Sequence, residues 1–259
     1  MSGNKKLNTE NNLVSRNYWD NSYENYQFVL PPTNDKVRQW IEQYIPPGKD
    51  KSCFEIGCFP GRYLSVFGQL GYELNGIDIT SRVENDLQDW LIKSNFKVGE
   101  IFKMNVFDYR SPKLFDIVCS FGFIEHFKNW EEVLIIHAQL VKQNGFLIIE
   151  TPNFRGFIQH AIHYVLDHEN LERHFLAAMN PYKWKRVLEQ LGFEIIYCGY
   201  FSEFEYWLDK SPTGFWKKIL CSGLSKAKSC MKLLPPNNSV YSPYCGLIAK
   251  KSGSLSYGI

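Results

Sequence analysis

The stretch that decides the fold is Cys53–Arg62, CFEIGCFPGR. Its apolar part ends at Ile56, Gly57 and Gly61 follow, and a helical pattern begins in RYLSVFGQLG. A strand that ends in a glycine turn and opens a helix is a common holder for the phosphates or the sugar of a nucleotide cofactor. The stretch therefore predicts the first strand of an α/β sheet with a cofactor loop at its end.

Further apolar runs follow the first, and helical patterns lie between most of them. The runs are YELNGIDI, FKVGEIFKMN, KLFDIVCSF, GFLIIETPN, FEIIYCGYF and SPYCGLIAKK. Strands that alternate with helices form a parallel sheet that is covered on both faces, but a long excursion instead of a crossover helix joins the last two runs. The sequence therefore predicts an α/β fold: a doubly wound, Rossmann-like sheet of seven strands, mostly parallel, with an antiparallel last strand.

The same patterns predict the domain organisation. Residues 1–34 contain no strand pattern and are expected to form a mobile N-terminal arm, while residues 35–259 form a single domain. Two segments do not fit the alternation of strands and helices and are predicted insertions, at about 154–179 and 202–240. Doubly wound sheets bind ligands beyond the carboxyl ends of their strands, so the site is expected there.

Composition excludes several classes of protein. The seven cysteines contain no Cys-x-x-Cys pair, which argues against a disulfide framework or a zinc site and predicts a reducing, cytoplasmic location. No run of about 18 apolar residues exists, so no spanning helix is expected. Residues 210–259 hold eight lysines and no acid, which leaves 21 basic and 27 acidic side chains elsewhere. Basic charge confined to one element predicts no nucleic-acid partner.

The glycine loop departs from the best-known nucleotide motifs. Counted from Gly57, the second and third glycines of a dinucleotide fingerprint fall on Phe59 and Arg62. No Gly-Lys-Ser/Thr follows, so a P-loop is excluded. What remains is the pattern Glu55-x-Gly57-x-Phe59-x-Gly61, with Asp78 at the end of the next strand. A carboxylate there can accept hydrogen bonds from both hydroxyls of a ribose.

In this order of motifs the chain resembles the class I S-adenosylmethionine-dependent methyltransferases, above all the small-molecule O-methyltransferases of the ubiquinone-biosynthesis type. The similar stretches are FEIGCFPGRYLSVFGQLGYELNGIDIT, FDIVCSFGFIEHF, NGFLIIETPN and WKRVLEQLGFEI, within about residues 50–200. The resemblance implies an enzyme that uses S-adenosylmethionine to methylate a small-molecule or glycan acceptor, at oxygen and without a metal.

The resemblance also implies a set of cofactor-binding residues. The methionine part would be surrounded by Glu55, Gly57, Cys58 and Gly61. The ribose and the adenine would be held by Asp78, Ile79, Asn105 and Val106. The base of the cofactor site would be formed by Ser120 and Phe121. Asn105 replaces the acid that the family usually has, and its side-chain carbonyl can still accept a hydrogen bond.

Each of three features of the sequence allows two interpretations. Phe59 stands where the family has a glycine, and it either packs as an ordinary aromatic residue or contacts the cofactor. His126 either acts as the general base of the transfer or packs beneath the next helix. The aromatic residues Tyr18, Trp19 and Tyr23 of the arm either close over the cofactor, as such arms do in the family, or pack in the core.

The two insertions carry further candidates. His160, His163 and Asp167 share one helical face, which allows a metal site, although a lid over the acceptor fits their position after the fifth strand better. Residues 215–236, FWKKILCSGLSKAKSCMKLLPP, mix aromatic and aliphatic residues with lysines. Such a segment contacts an anionic membrane, binds a partner, or covers the sheet with its lysines in water.

Two other functions remain open from the sequence. A nicotinamide-dependent oxidoreductase can share this fold, although the missing glycines at positions 59 and 62 argue against it. A non-catalytic cofactor-binding or scaffold protein is the other alternative, and a sealed acceptor cavity would favour it. No pattern in the sequence identifies the acceptor or the oligomeric state.

Overall fold

The computed structural model describes residues 11–231 and 233–252. Its strands are β1 (Ser52–Ile56), β2 (Glu73–Asp78), β3 (Val98–Lys103), β4 (Phe115–Phe121), β5 (Val141–Pro152), β6 (Phe193–Phe201) and β7 (Tyr244–Lys251). Its helices are α1 (Arg16–Ser22), α2 (Lys36–Tyr44), α3 (Leu64–Gln69), α4 (Gln88–Lys93, preceded by a π-helical turn, Val83–Leu87), α5 (Trp130–Leu140), α6 (Phe157–Leu166), α7 (His168–Glu172), α8 (Pro181–Gln190) and α9 (Phe215–Met231). Short 3-10 helices span Ile124–His126 and Leu176–Ala178.

The seven strands form one sheet in the order β3-β2-β1-β4-β5-β7-β6. Strands β1 to β5 pair in parallel, and β7 is antiparallel to both β5 and β6. This confirms the predicted fold class, including the antiparallel last strand. Because β1 lies between β2 and β4, the chain reverses its winding direction there, and ligand sites of such sheets lie at this point.

Helices cover both faces of the sheet. On one face a core cluster that includes Trp184 and Trp130 packs α5 and α8 against the sheet. On the other, a cluster with Trp40 and Phe67 packs α2, α3 and α4. Local sequence begins these helices where expected, since the Asp35 carboxylate accepts hydrogen bonds from two backbone N–H groups at the start of α2.

One boundary differs from the prediction. The helical pattern NWEEVLIIHAQLVK suggests a helix up to residue 142, yet α5 ends at Leu140 and β5 begins at Val141. Val141 is buried and pairs with Phe115 of β4. Tertiary pairing of a β-branched residue therefore outweighs the helical pattern at this point.

The two predicted insertions lie beside each other. Helices α6 and α7 fall in the first insertion and α9 in the second. Ile162 and Leu166 of α6 form a small separate core with Phe204 and Tyr241. Within the described ranges, no helix combines the length and apolar character needed to cross a bilayer.

Candidate functional site

A cleft opens at the carboxyl ends of β1, β2 and β4. The sequence-predicted residues that line it are Gly57, Phe59, Asp78, Ile79, Asn105, Val106, Phe121 and His126. Apolar side chains, among them Ile77, Met104 and Phe123, complete the walls. An apolar slot with one carboxylate at its edge suits a flat base joined to a ribose.

Asp78 is the fixed charged group of this cleft. Its Oδ2 accepts a hydrogen bond from the Phe59 N–H at 3.0 Å, and its Oδ1 accepts one from the Thr80 N–H at 2.9 Å. Burial raises the pKa of Asp78 to about 6, although these backbone donors oppose the shift. The carboxylate is thus oriented by the backbone, and each oxygen keeps a second lone pair for a ligand hydroxyl.

Glycine is required at positions 57 and 61 because each backbone packs closely against a different side chain. Both have positive φ angles, 76° and 79°. A Cβ atom at Gly57 would lie 2.4 Å from Phe123 in the cleft wall, and one at Gly61 would lie 2.4 Å from Leu87. Gly57 therefore keeps the cleft open, while Gly61 allows the loop to pack on the helix that follows β2.

Phe59 both packs with other aromatic residues and lines the cleft. Its ring lies 4.8 Å from Tyr23 and 5.6 Å from Phe28, measured between centroids, and Arg82 lies over its face. The Phe59–Pro60 peptide bond is cis. Phe59 therefore packs with the aromatic residues of the arm and also lines the cleft, so neither the packing interpretation nor the cofactor-contact interpretation is excluded.

The arm lies over the cleft. Asn12 forms an isolated bridge with Phe127, and the Leu13 N–H donates to the His126 carbonyl. The Trp19 ring stacks on Tyr23 at 5.6 Å and meets the His126 ring edge-on at 5.1 Å. The cleft is consequently narrow, about 70 Å³, whereas small-molecule pockets commonly measure about 300–1,000 Å³.

Four sequence-predicted cofactor residues do not line the cleft: Glu55, Cys58, Gly61 and Ser120. Cys58 is fully buried against Gly76 of the neighbouring strand. Glu55 and Ser120 are also buried. Neither Glu55 Oε2 nor Ser120 Oγ has a hydrogen-bond partner among the described residues. Burial raises the pKa of Glu55 well above its usual range.

A second, larger cavity of about 910 Å³ adjoins the cleft. Aromatic rings form part of its wall, including Tyr63, Trp207 and Tyr244. The carboxyl groups that line it belong to Asp35, Glu125, Glu150, Glu203, Glu205 and Asp209. Trp19, Phe121, Gly122 and His126 line both the cavity and the cleft.

Ion pairs neutralise three of the four lysine and arginine side chains that line this cavity, and the fourth, Lys36, forms no ion pair within the described residues. Arg62 lies 2.6 Å from Asp35, Arg173 lies 2.6 Å from Asp209, and Lys228 lies 2.7 Å from Glu205, between their charged atoms. Glu125 and Glu150 form no ion pair within the described part of the chain. Burial raises the pKa of Glu125 to about 8, and burial together with the nearby Glu125 raises that of Glu150 well above its usual range.

Glu125 stands at the junction of the cleft and the cavity. Its side chain is fully buried, and neither carboxyl oxygen has a partner among the residues that the structure describes. A Cβ atom at Gly122, which lines both spaces, would lie 3.6 Å from Glu125 Oε1. A buried carboxyl group with unpaired oxygens carries a desolvation cost, which a donor from a ligand would offset.

His126, next to Glu125, is a neutral imidazole. Its Nδ1 lies 2.9 Å from the carbonyl oxygen of Arg173, and since a carbonyl only accepts, Nδ1 carries the proton. Burial lowers the pKa of His126 to about 4, against the effect of that carbonyl. The ring is thus held in one tautomer at neutral pH.

Comparisons with known proteins agree with this geometry. A family model described as a methyltransferase domain matches residues 32–197, more than half of the chain. Ubiquinone biosynthesis O-methyltransferases from Rickettsia canadensis and Rickettsia typhi are 21% and 23% identical over 54% and 58% of this chain. The matches span 60% and 61% of the lengths of those relatives.

Solved structures share the fold. A SAM-dependent methyltransferase from Archaeoglobus fulgidus matches with a TM-score of 0.54 and 24% identity, over 83% of this chain and 93% of its own. The plantazolicin methyltransferase BpumL in complex with SAH matches with a TM-score of 0.51 and 15% identity, over 84% and 80%.

The chain belongs to the class I S-adenosylmethionine-dependent methyltransferases. S-adenosylmethionine is the cofactor of this family. Asp78, oriented by two backbone donors in the cleft at the ends of β1 and β2, fits a cofactor that presents ribose hydroxyls.

The histidines of this methyltransferase are distributed differently from the predicted pattern. His160 contacts the Phe154 carbonyl and His163 lies 3.6 Å from Asp167, and these residues form no three-ligand group within the described ranges. Glu125, His126 and His174 do, with their ligand atoms within 4.8 Å of one another. That the reaction needs no metal stays a prediction.

Sequence reasoning missed most of the residues that line the larger cavity. Glu150 lies near the carboxyl end of β5, and Arg173 and Trp207 belong to the two insertions. The acid in LIIETPN, an isolated charge in an apolar run near the end of a strand, was the available signal for Glu150. Nothing in the sequence indicated that Arg173 and Trp207 line the same cavity.

Proposed function

We propose that the chain transfers the methyl group of S-adenosylmethionine to a hydroxyl oxygen of a polar small-molecule or glycan acceptor. The observation that carries this proposal is the shared wall of the two spaces, formed by Trp19, Phe121, Gly122 and His126. A donor in the cleft and an acceptor in the cavity would meet there. Holding both in line supplies a large part of the rate in a direct displacement.

The cofactor residues follow from the cleft. Asp78 accepts the ribose hydroxyls, and Ile79, Asn105 and Val106 surround the adenine. The Asn105 Oδ1 already accepts from the Phe107 N–H at 3.0 Å, so it offers its remaining lone pair to the base. Glu55, Cys58, Gly61 and Ser120 support the loop and the strand ends from below. When bound, the cofactor supplies the electrophilic methyl group.

The acceptor is expected to be rich in hydrogen-bond donors. Ion pairs occupy Arg62, Arg173 and Lys228, whereas both carboxyl oxygens of Glu125 have no partner within the described residues. Burial raises the pKa of Glu125 and of Glu150, so these carboxyl groups are largely protonated near neutral pH and can exchange hydrogen bonds with hydroxyl groups of an acceptor. The likeness to O-methyltransferases supports oxygen as the methylated atom. A cavity of about 910 Å³ next to the cleft favours catalysis over a scaffold role.

Two side chains can take the acceptor proton. As the acceptor oxygen bonds to the methyl carbon, the sulfur–carbon bond breaks, sulfur keeps the electron pair, and the hydroxyl proton leaves. His126 is the residue that the sequence suggested, but an imidazole whose pKa is about 4 is a weak base. Glu125, with a pKa of about 8, matches a hydroxyl better at neutral pH, and we assign the proton to it.

Residues 11–34 of the predicted arm must move for the cofactor to enter. Trp19 and Tyr23 lie over the cleft, which measures only about 70 Å³ in this closed arrangement. Opening of the arm would break contacts with the remaining fold, among them the bonds of Asp20 to Thr80 and Ser81 and the ring contact of Tyr23 with Phe59. An arm that opens and closes fits the proposed single domain, 35–259. A cytoplasmic location and the absence of a nucleic-acid partner stay predictions.

The acceptor assignment can be tested with methyl-labelled S-adenosylmethionine. Saccharides and polyols, amines, carboxylates and apolar phenols are incubated with the protein, and labelled products are separated. We expect labelling of the hydroxyl-rich acceptors, and the product should survive mild alkali because ethers do and methyl esters do not. Labelled amines or alkali-labile esters alone would contradict transfer to a hydroxyl.

A further inference from the structure

Helix α9 carries an exposed apolar surface. Phe215 and Trp216 are 72% and 75% exposed, and Ile219 and Leu220, one turn further, are about half exposed. These four residues are named the α9 surface. Burying them against another body would remove a considerable apolar area from water, which a folded chain rarely leaves exposed in one place.

The opposite side of α9 is attached to the fold. Cys221, Leu224 and Met231 pack against the small core that includes Ile162 of α6. The Tyr206 hydroxyl donates to the Cys221 carbonyl at 3.3 Å. Helix α9 therefore has two apolar sides, an inner side that packs against the fold and the exposed α9 surface.

Positive charge flanks the α9 surface. Lys217, Lys218 and Lys226 are exposed and form no ion pair within the described residues, whereas Lys228 is paired with Glu205. Residues 210–259 contain no acid, and Glu169 of the first insertion interacts electrostatically with Lys217. Aromatic and aliphatic residues next to lysines are the composition of helices that lie in the interface of an anionic bilayer.

The C-terminal half of α9 borders the cavity. Lys228 of α9 lines the acceptor cavity, and so does Tyr206, which bonds to Cys221 of α9. Helix α6, which packs into the same small core, exposes Phe157 at 77% and Tyr164 at 60%. Both insertions thus present exposed apolar side chains.

We propose that α9 docks the protein on an anionic membrane surface, with the α9 surface among the lipid headgroups and the lysines against lipid phosphates. A polyanionic protein or nucleic acid would engage the lysines and leave Phe215 and Trp216 in water, so the bilayer is the occupant that satisfies both. The contact is peripheral. This inference goes beyond the proposed methyl transfer and does not depend on it.

Sedimentation of the full chain with vesicles tests the proposal. Wild-type protein is expected to pellet with vesicles of phosphatidylcholine containing phosphatidylglycerol, and much less with phosphatidylcholine alone. Substituting Lys217, Lys218 and Lys226 by glutamine should lower the partition coefficient on the order of 100-fold. Phe215→Ser with Trp216→Ser should lower it at least tenfold, with thermal unfolding unchanged.

A matched triple variant separates this site from bulk charge. Lys93, Lys97 and Lys113 lie near β3, at the opposite edge of the sheet from β6, and their replacement by glutamine removes the same charge. It should keep most of the binding. Three results would overturn the proposal: no pelleting of the wild type with anionic vesicles, an equal loss in the control, or tight binding to heparin together with vesicle binding that survives the serine variant.

Discussion

Glu125→Gln is expected to lower turnover by about 10²- to 10⁴-fold, the usual loss when a general base is removed. Glutamine keeps the shape of the side chain but cannot take a proton. Affinity for S-adenosylhomocysteine should stay within about threefold, because Glu125 lines the acceptor cavity and not the cofactor cleft. Single-turnover rates and calorimetry on the two proteins measure these quantities.

The pH profile distinguishes Glu125 from His126 as the base. With Glu125 as the base, the rate rises with pH through about 8, the pKa of that carboxyl, and the rise disappears in the variant. With His126 as the base, the rate is flat from pH 6 to 9, because its pKa is about 4. A flat wild-type profile together with a near-normal rate of Glu125→Gln would therefore exclude Glu125.

Protein stability provides an independent control for Glu125. Its pKa is about 8 in the folded state and about 4.3 in an unfolded chain. A raised pKa means that stability is fully present below about pH 4 and is lost as pH rises through about 8. Glu125→Gln lacks this loss, so its free energy of unfolding at pH 9 should exceed that of the wild type by about 5 kcal/mol.

Asp78→Ala is expected to weaken S-adenosylhomocysteine binding by at least tenfold. Charge-assisted bonds from a carboxylate to two hydroxyls contribute roughly 1.5–3 kcal/mol each, and about 1.4 kcal/mol corresponds to one decade of affinity. Affinity of the wild type should also fall below pH 6, because burial raises the pKa of Asp78 to about 6 and protonation removes an acceptor. That pH dependence should be absent from the variant.

Asp20→Ala is the matched control for Asp78. The Asp20 carboxylate accepts from the Thr80 hydroxyl and the Ser81 N–H, so it fixes the same loop without lining the cleft. Because Asp20 also holds the arm to this loop, we expect Asp20→Ala to weaken binding less than Asp78→Ala does, and without the change in affinity near pH 6. Equal losses in the two variants would show that Asp78 acts through the loop and not through the ribose.

The strands and part of the cofactor cleft could be predicted because each depends on local patterns. Strand periodicity, Gly57 in its turn and Asp78 at a strand end are short-range features, and the structure places both of these residues in the cleft. Cys58 lies in the same loop but faces Gly76, since the direction of its side chain depends on the packing of β1 on β2.

The acceptor cavity could not be predicted in the same way. Glu125 and Glu150 are separated by a helix in the sequence and become neighbours only through the pairing of β4 with β5. Helix α1 lies in a segment that the sequence predicts to be a mobile arm. The position of this helix depends on tertiary contacts such as that of Trp19 with His126. Burial and ion pairing of this kind arise from tertiary contacts and leave no periodic pattern.

The most direct test of the account is a calorimetric titration of the wild-type chain with S-adenosylhomocysteine and, separately, with NAD. The account predicts saturable one-to-one binding of S-adenosylhomocysteine and no heat with NAD, because the loop has Phe59 and Arg62 where a dinucleotide site has glycines. Binding of NAD without binding of S-adenosylhomocysteine would contradict the methyltransferase assignment and favour an oxidoreductase.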